Sequence, residues 1–96
     1  MFGTIARVRV RPDNREKLRE VLEGEEQVAV PGFISSHLMF PEGREEEAYL
    51  VVFFDDRDSY MKNADDPAQD ERYQRFRVLL EEDPEWIDGE WVTFRP

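Results

Sequence analysis

The stretch AYLVVFF, Ala48 to Phe54, decides the fold. Seven apolar residues rich in β-branched and aromatic side chains, entered from a glutamate run and left through Asp55-Asp56, form a strand rather than a helix. The stretch does not alternate. A strand that is apolar on both faces needs cover on both faces, so the sheet that holds it has two buried sides.

Working outward, the chain before this strand supplies a hairpin partner. Phe33 to Phe40, FISSHLMF, reads as a strand closed by PEGREEE, with a turn before it at Pro31-Gly32 and the lead-in VAV. Simple alternation puts Phe33, Ser35, His37 and Met39 on one face and Ile34, Leu38 and Phe40 on the other. Further back, Phe2 to Arg11 alternates strictly from Ala6: Ala6, Val8 and Val10 face one way, and Ile5, Arg7, Arg9 and Arg11 the other. Pro12 ends that strand. Asp13 with Glu16 has capping-box spacing, and Leu18, Val21 and Leu22 lie at helical spacing before a stop at Gly24.

After AYLVVFF, Asp55 or Asp56 caps a helical segment, RDSYMKNADD. Asp66-Pro67 has the look of a second N-cap, with proline at the first helical position and Gln69 at capping-box distance, so the region holds either two helices or one broken one. Tyr73, Phe76, Leu79 and Leu80 lie on one side of it. Pro84 precedes a last strand, Trp86 to Phe94, on which Trp86 and Trp91 point to opposite faces. The order is β-α-β-β-α-β, an α+β ferredoxin-like arrangement: one antiparallel sheet with the helices on one face, in a single domain over residues 1–96. The uncovered second face calls for the same face of a second copy, giving a homodimer with sheets packed face to face.

Composition narrows the function. Thirteen basic against 23 acidic residues give a net charge of −10, which argues against nucleic acid and anionic membranes as partners. Cysteine is absent and there is a single histidine, so no disulfide framework, thiolate nucleophile or ordinary zinc site is expected, and the acidic clusters DDRD and ADDPAQDE lack calcium-loop spacing. The alternating, arginine-bearing start is neither a signal peptide nor a membrane span, and the expectation is a soluble cytoplasmic protein.

Four stretches, IARVRVRP, VPGFISSHLMF, VVFFDDRDSYMKNADDP and EDPEWIDGEWV, together and in this order resemble the antibiotic biosynthesis monooxygenase-like (ABM) family of dimeric α+β barrels. The resemblance implies a pocket between sheet and helices. It also implies a monooxygenase that uses molecular oxygen on a small aromatic, quinol- or polyketide-like substrate, with no bound cofactor and no metal. The haem-degrading branch carries asparagine, tryptophan and histidine at sites that fall here at about Ala6, Phe54 and Asn63, and all three differ.

The candidate catalytic residues are Asn63, His37 and Tyr60. Asn63 could hold a substrate oxygen, His37 has the right titration range for acid–base work, and Tyr60 shares a helix face with Asn63. Phe54, Tyr73, Phe76 and Trp86 are the candidate substrate-binding residues. Each has a packing alternative: His37 against the sheet, the tyrosines and Trp86 in the core. Arg7, Arg9 and Arg11 form either an anion site or ion pairs with neighbouring glutamates. A non-catalytic homodimer that binds a small apolar ligand, or serves a stress or regulatory role, is the competing function. An open cleft lined by Asn63 and a tyrosine favours the enzyme; a cleft filled by Phe54, Tyr73, Phe76 and Trp86 excludes it.

Overall fold

The structure, a computed structural model, describes residues 1–25 and 29–96. Four strands, β1 (Phe2–Arg9), β2 (Phe33–Met39), β3 (Glu47–Phe54) and β4 (Glu85–Glu90), form one antiparallel sheet in the order β2-β3-β1-β4. Helix α1 (Arg15–Glu25) connects β1 to β2, and α2 (Arg57–Ala64) and α3 (Pro67–Arg77) connect β3 to β4. Among the described residues no helix is long and apolar enough to cross a membrane.

Register sorts the side chains. Ala6 pairs with Leu50 and Trp86, and Val8 with Ala48. These point toward the helices, where Ala6, Val8, Val10, Ala48 and Leu50 pack with Leu18 of α1 and Phe76 of α3. The opposite face carries the row His37, Val51, Ile5 and Ile87, paired strand to strand. Among the described residues no helix or strand packs over this row, and Ile87 is 71% exposed. The non-alternating stretch Ala48–Phe54 thus places apolar side chains on both faces, with the helix-side residues Ala48, Leu50 and Phe54 buried.

The caps act as the sequence indicates at two helices. Asp56 Oδ1 accepts from the Ser59 N–H at 2.8 Å, and Asp66 Oδ1 accepts from the Ala68 N–H at 2.9 Å, with Pro67 opening α3. Two carboxylates in extended backbone, set ahead of orphan N–H groups, break the region into two helices rather than one.

Several expectations need correction. Helical winding starts at a 3-10 turn, Pro12–Asn14, so Asp13 lies inside the opening turn and not ahead of it; its carboxylate sits 3.4 Å from the Arg11 guanidinium. Gly24 does not stop α1, which runs on to Glu25. The lead-in to Pro31-Gly32 begins at Val28, outside the described residues. Gly32 itself has φ +79°, the left-handed geometry of a turn glycine. Strand β2 carries a bulge between Phe33 and Ser35. One extra residue in a strand flips every side chain before it, so Phe33 leaves the face of His37 and joins Phe54 on the helix side. Lastly, β4 ends at Glu90; beyond it the Trp91 N–H donates to the Met1 carbonyl at 2.9 Å, and residues 91–94 do not continue the strand.

Candidate active-site cleft

A cleft of about 510 Å³ opens between the sheet and helices α2 and α3. Its floor is the cross-strand pattern already described. Thr4 and Val52 lie between Leu50 and Phe54, and Trp86 and Asp88 lie at successive inward positions of β4. Tyr60 and Asn63 of α2 form one wall. Gln69, Arg72, Tyr73 and Phe76 of α3 form the other.

Tyr60 is placed by the Asp56 cap: the cap starts α2, and the Tyr60 ring lands one turn later against Phe2 and edge-on to Phe54, at centroid distances of 5.2 and 5.6 Å. Its hydroxyl donates to Asp88 Oδ1 at 2.9 Å. Burial, followed by the hydrogen bond to Asp88 and the Asp88 charge, pushes the phenol up to about 12. At neutral pH Tyr60 is therefore a neutral donor and not a phenolate base. Thr4, beside Asp88 across the β1–β4 pair, is buried and donates to the Ile87 carbonyl at 3.2 Å.

Asn63 and Arg72 meet at the far wall. Arg72 Nη2 donates to Asn63 Oδ1 at 3.4 Å, and Arg72 Nε donates to Gln69 Oε1 at 3.0 Å. Gln69 therefore does not use its side chain in a capping box; its amide oxygen serves the arginine. With Oδ1 engaged, the Asn63 amide is oriented and its Nδ2 hydrogens are free to donate to a ligand.

Six of the seven residues singled out from the sequence, Phe54, Tyr60, Asn63, Tyr73, Phe76 and Trp86, line this one cleft. They line the cleft without filling it; Trp86 is 42% exposed. His37 is elsewhere. It is exposed on the opposite sheet face, its Nε2 3.1 Å from Ser35 Oγ and its ring edge-on to Phe53. Trp91 packs edge-on against Phe53 on that same face, at 4.7 Å, so the two tryptophans divide between the faces. Arg7 and Arg9 pair with glutamates: Arg7 with Glu47 at 2.8 Å and Arg9 with Glu46 at 3.0 Å. The Arg7–Glu47 hydrogen bond raises the guanidinium and lowers the carboxyl. These arginines are satisfied by ion pairs, and Arg11 pairs with Asp13.

Three cleft residues escape a sequence reading: Thr4, Arg72 and Asp88. Asp88 had a signal, since period two from Trp86 puts it on the same face. Arg72 stands between Gln69 and Phe76 at helical spacing, an arginine inside the inward stripe. Among the described residues no group of three His, Cys, Asp or Glu side chains is placed to hold a metal ion.

The model of the family described as "Antibiotic biosynthesis monooxygenase" matches residues 1–71. The chain belongs to that family. Solved structures share the fold at low sequence identity. A mutant of SnoaB, a cofactor-independent oxygenase from Streptomyces nogalater, superposes with a TM-score of 0.77 at 13% identity, covering 98% of this chain and 97% of that one. Rv0793 from Mycobacterium tuberculosis gives 0.75 at 21% identity, over 96% and 95% of the two chains. A conserved protein from Methanosarcina mazei Go1 gives 0.78 at 14%, over 92% and 89%. No curated protein sequence matches the chain. At these identities the likeness is one of fold, and this ABM-family chain's activity has to be argued from its own cleft.

Proposed function

We propose that this ABM-family chain is a cofactor-independent monooxygenase for a small hydroxy-aromatic substrate of the quinol or polyketide type. The observation that carries the reading is the open cleft, in which a carboxylate held by a neutral phenol, Asp88 with Tyr60, accompanies an oriented amide, Asn63. Asp88 accepts the proton from an acidic carbon of the substrate. Tyr60, as donor, keeps the carboxylate aimed into the cleft. The Asn63 Nδ2 hydrogens meet the substrate oxygen on which negative charge collects, a preorganised donor where charge develops. Trp86, Tyr73 and Phe54 supply the aromatic surface for the ring.

The electrons come from the substrate itself. The carbanion passes one electron to dioxygen, the two radicals join through a new C–O bond, and the resulting peroxide takes the proton held by Asp88. Loss of the second hydrogen from the same carbon, as a proton, breaks the O–O bond and releases hydroxide, which that proton converts to water. A ring methylene becomes a carbonyl; one oxygen atom stays in the product and the other leaves as water. The fold relationship to SnoaB, itself a cofactor-independent oxygenase, supports this class of reaction.

The second copy completes the reading. The row Val51, Ile5 and Ile87, with Met39 51% exposed beside it, is an apolar strip that the same strip of a two-fold-related copy would cover. The proposed assembly is a homodimer with the two clefts on its outer sides.

The test is oxygen uptake with a panel of anthrones and quinols. The native protein is expected to consume oxygen with at least one of them, Asp88→Asn to lose about 10²–10⁴-fold, and Asn63→Ala about 10²–10³-fold. No native uptake across the panel, or unchanged rates in both variants, overturns the monooxygenase; binding without uptake supports the non-catalytic ligand-binding protein instead.

A further inference from the structure

Among the described residues Arg72 is the only buried charged side chain, 8% exposed, and it lines the cleft. A guanidinium cannot shed its proton inside a protein, so burial must be offset by partners. Its partners here are two neutral amide oxygens, Gln69 Oε1 on Nε and Asn63 Oδ1 on Nη2. Among the described residues no carboxylate lies within ion-pair distance of it. Two of its five N–H groups are used. Among the described residues, the whole of Nη1 and the second hydrogen of Nη2 find no acceptor and the positive charge meets no counter-charge.

The carboxylates that share the cleft do not supply one. Asp70 and Asp88 are exposed at the mouth, and Asp88 is engaged by Tyr60. Water screens a mouth carboxylate more strongly than it screens a group seated against a withdrawn guanidinium. A bracket that only tied α2 to α3 would need the one bond to Asn63 and no charge; a neutral side chain would do it without the desolvation cost. What an unpaired, planar, forked cation fits is a carboxylate bound through two parallel N–H···O contacts.

We propose that the cleft is selective for an aromatic monocarboxylate, its carboxylate on the free edge of Arg72 and its rings against Tyr73, Phe76 and Trp86. The proposal rests on the reading of the cleft as the ligand site and adds the ligand's charge; it is independent of whether oxygen chemistry follows. It also gives Asn63 and Gln69 a shared purpose, since both hold the guanidinium in position.

The test compares naphthoate with the neutral isostere naphthamide, by calorimetry and tryptophan quenching at low salt, on the native protein and on Arg72→Gln and Arg72→Lys. Native protein is expected to bind naphthoate about tenfold or more tightly than naphthamide. Arg72→Gln is expected to abolish that preference without strengthening naphthamide, and Arg72→Lys to keep part of it, because charge remains and the fork is lost. A native protein that binds neither compound, or binds both equally, overturns the proposal, as does a preference that survives in folded Arg72→Gln. If Arg72→Gln fails to fold, the native preference and its reduction in Arg72→Lys decide. Oxygen uptake on a neutral anthrone without carboxylate preference overturns this proposal and spares the monooxygenase. Carboxylate preference lost in Arg72→Gln, with no oxygen uptake on any substrate, does the reverse.

Discussion

Replacing Asp88 by asparagine should move the titration of a tyrosine. In the native cleft the Tyr60 phenol sits 2.9 Å from Asp88 Oδ1 and is pushed up to about 12 from its ordinary 10.0. Three causes raise it: burial first, then the hydrogen bond, then the carboxylate charge. Asp88→Asn leaves the burial and removes the charge. Two unit charges at this separation repel by about 1.4 kcal/mol even at the dielectric constant of bulk water, which is about one pKa unit. Asp88 is exposed, so the water value is the appropriate one. The expected result is a Tyr60 titration about one unit lower in Asp88→Asn, still above 10 because burial persists. The assay is phenolate absorbance after a rapid pH jump, before alkaline unfolding. The chain has three tyrosines, and Tyr60→Phe identifies which step is lost. The same shift has a stability consequence. Between pH 10 and 12 the unfolded chain ionises this phenol and the folded chain does not, so the unfolded state binds fewer protons and stability falls as pH rises through that window. A fully secluded phenol would contribute about 2.7 kcal/mol below it; solvent screening at half-buried Tyr60 reduces this to about 1 kcal/mol. A native protein whose tyrosines all titrate together near 10, or an Asp88→Asn protein with an unchanged slow step, refutes the argument that Tyr60 is a donor locked on Asp88.

The remaining predictions concern the frame. Leu18→Ala empties a fully buried site between α1 and the sheet and should cost about 2–5 kcal/mol in urea unfolding, with bound ligand partly restoring the midpoint. Light scattering on the native protein should give twice the chain mass, and Ile87→Asp, which puts a charge in the apolar row of the bare face, should give the single-chain mass. A native monomer at micromolar concentration would contradict the face-to-face assembly.

The strand pairings were legible because they depend on patterns that tertiary structure cannot easily override. Ala6, Val8 and Val10 alternate, AYLVVFF does not, and an aspartate, Asp55 or Asp56 and then Asp66, stands ahead of each of the last two helices. The side of Phe33 was not legible. A bulge inserts a residue without any mark that distinguishes Ile34 from an ordinary strand residue, and it turns one end of β2 around. Arg72 and Asp88 were hidden for a different reason. With 13 basic and 23 acidic side chains, one arginine and one aspartate carry no compositional weight. Their significance is spatial: Arg72 matters because it is withdrawn from water without a carboxylate, and Asp88 because Tyr60 reaches it from 28 residues away. His37 illustrates the converse. Its rarity in the sequence invited a chemical role, whereas its register with Val51 and Ile5 puts it on the face away from the cleft.

Strand β4 joins the two halves of the interpretation. Its burial is low almost throughout, although it carries Trp86 and Ile87 at its centre. A strand at a sheet edge that kept a 42% exposed tryptophan and a 71% exposed isoleucine for its own stability would gain little from either. Alternation sends the two in opposite directions, Trp86 with Asp88 into the cleft and Ile87 onto the bare face. Among the described residues neither direction has full cover, and the cover proposed for each is different: a flat ring on one side, an apolar sheet on the other. The coupling has a consequence. Any partner that fixes Ile87 also fixes the backbone that sets Trp86 and Asp88 one residue to either side, so Ile87→Asp should weaken ligand binding at a cleft it does not touch. Equal affinity in the single-chain and paired forms would separate the two faces and make β4 a strand with two independent duties.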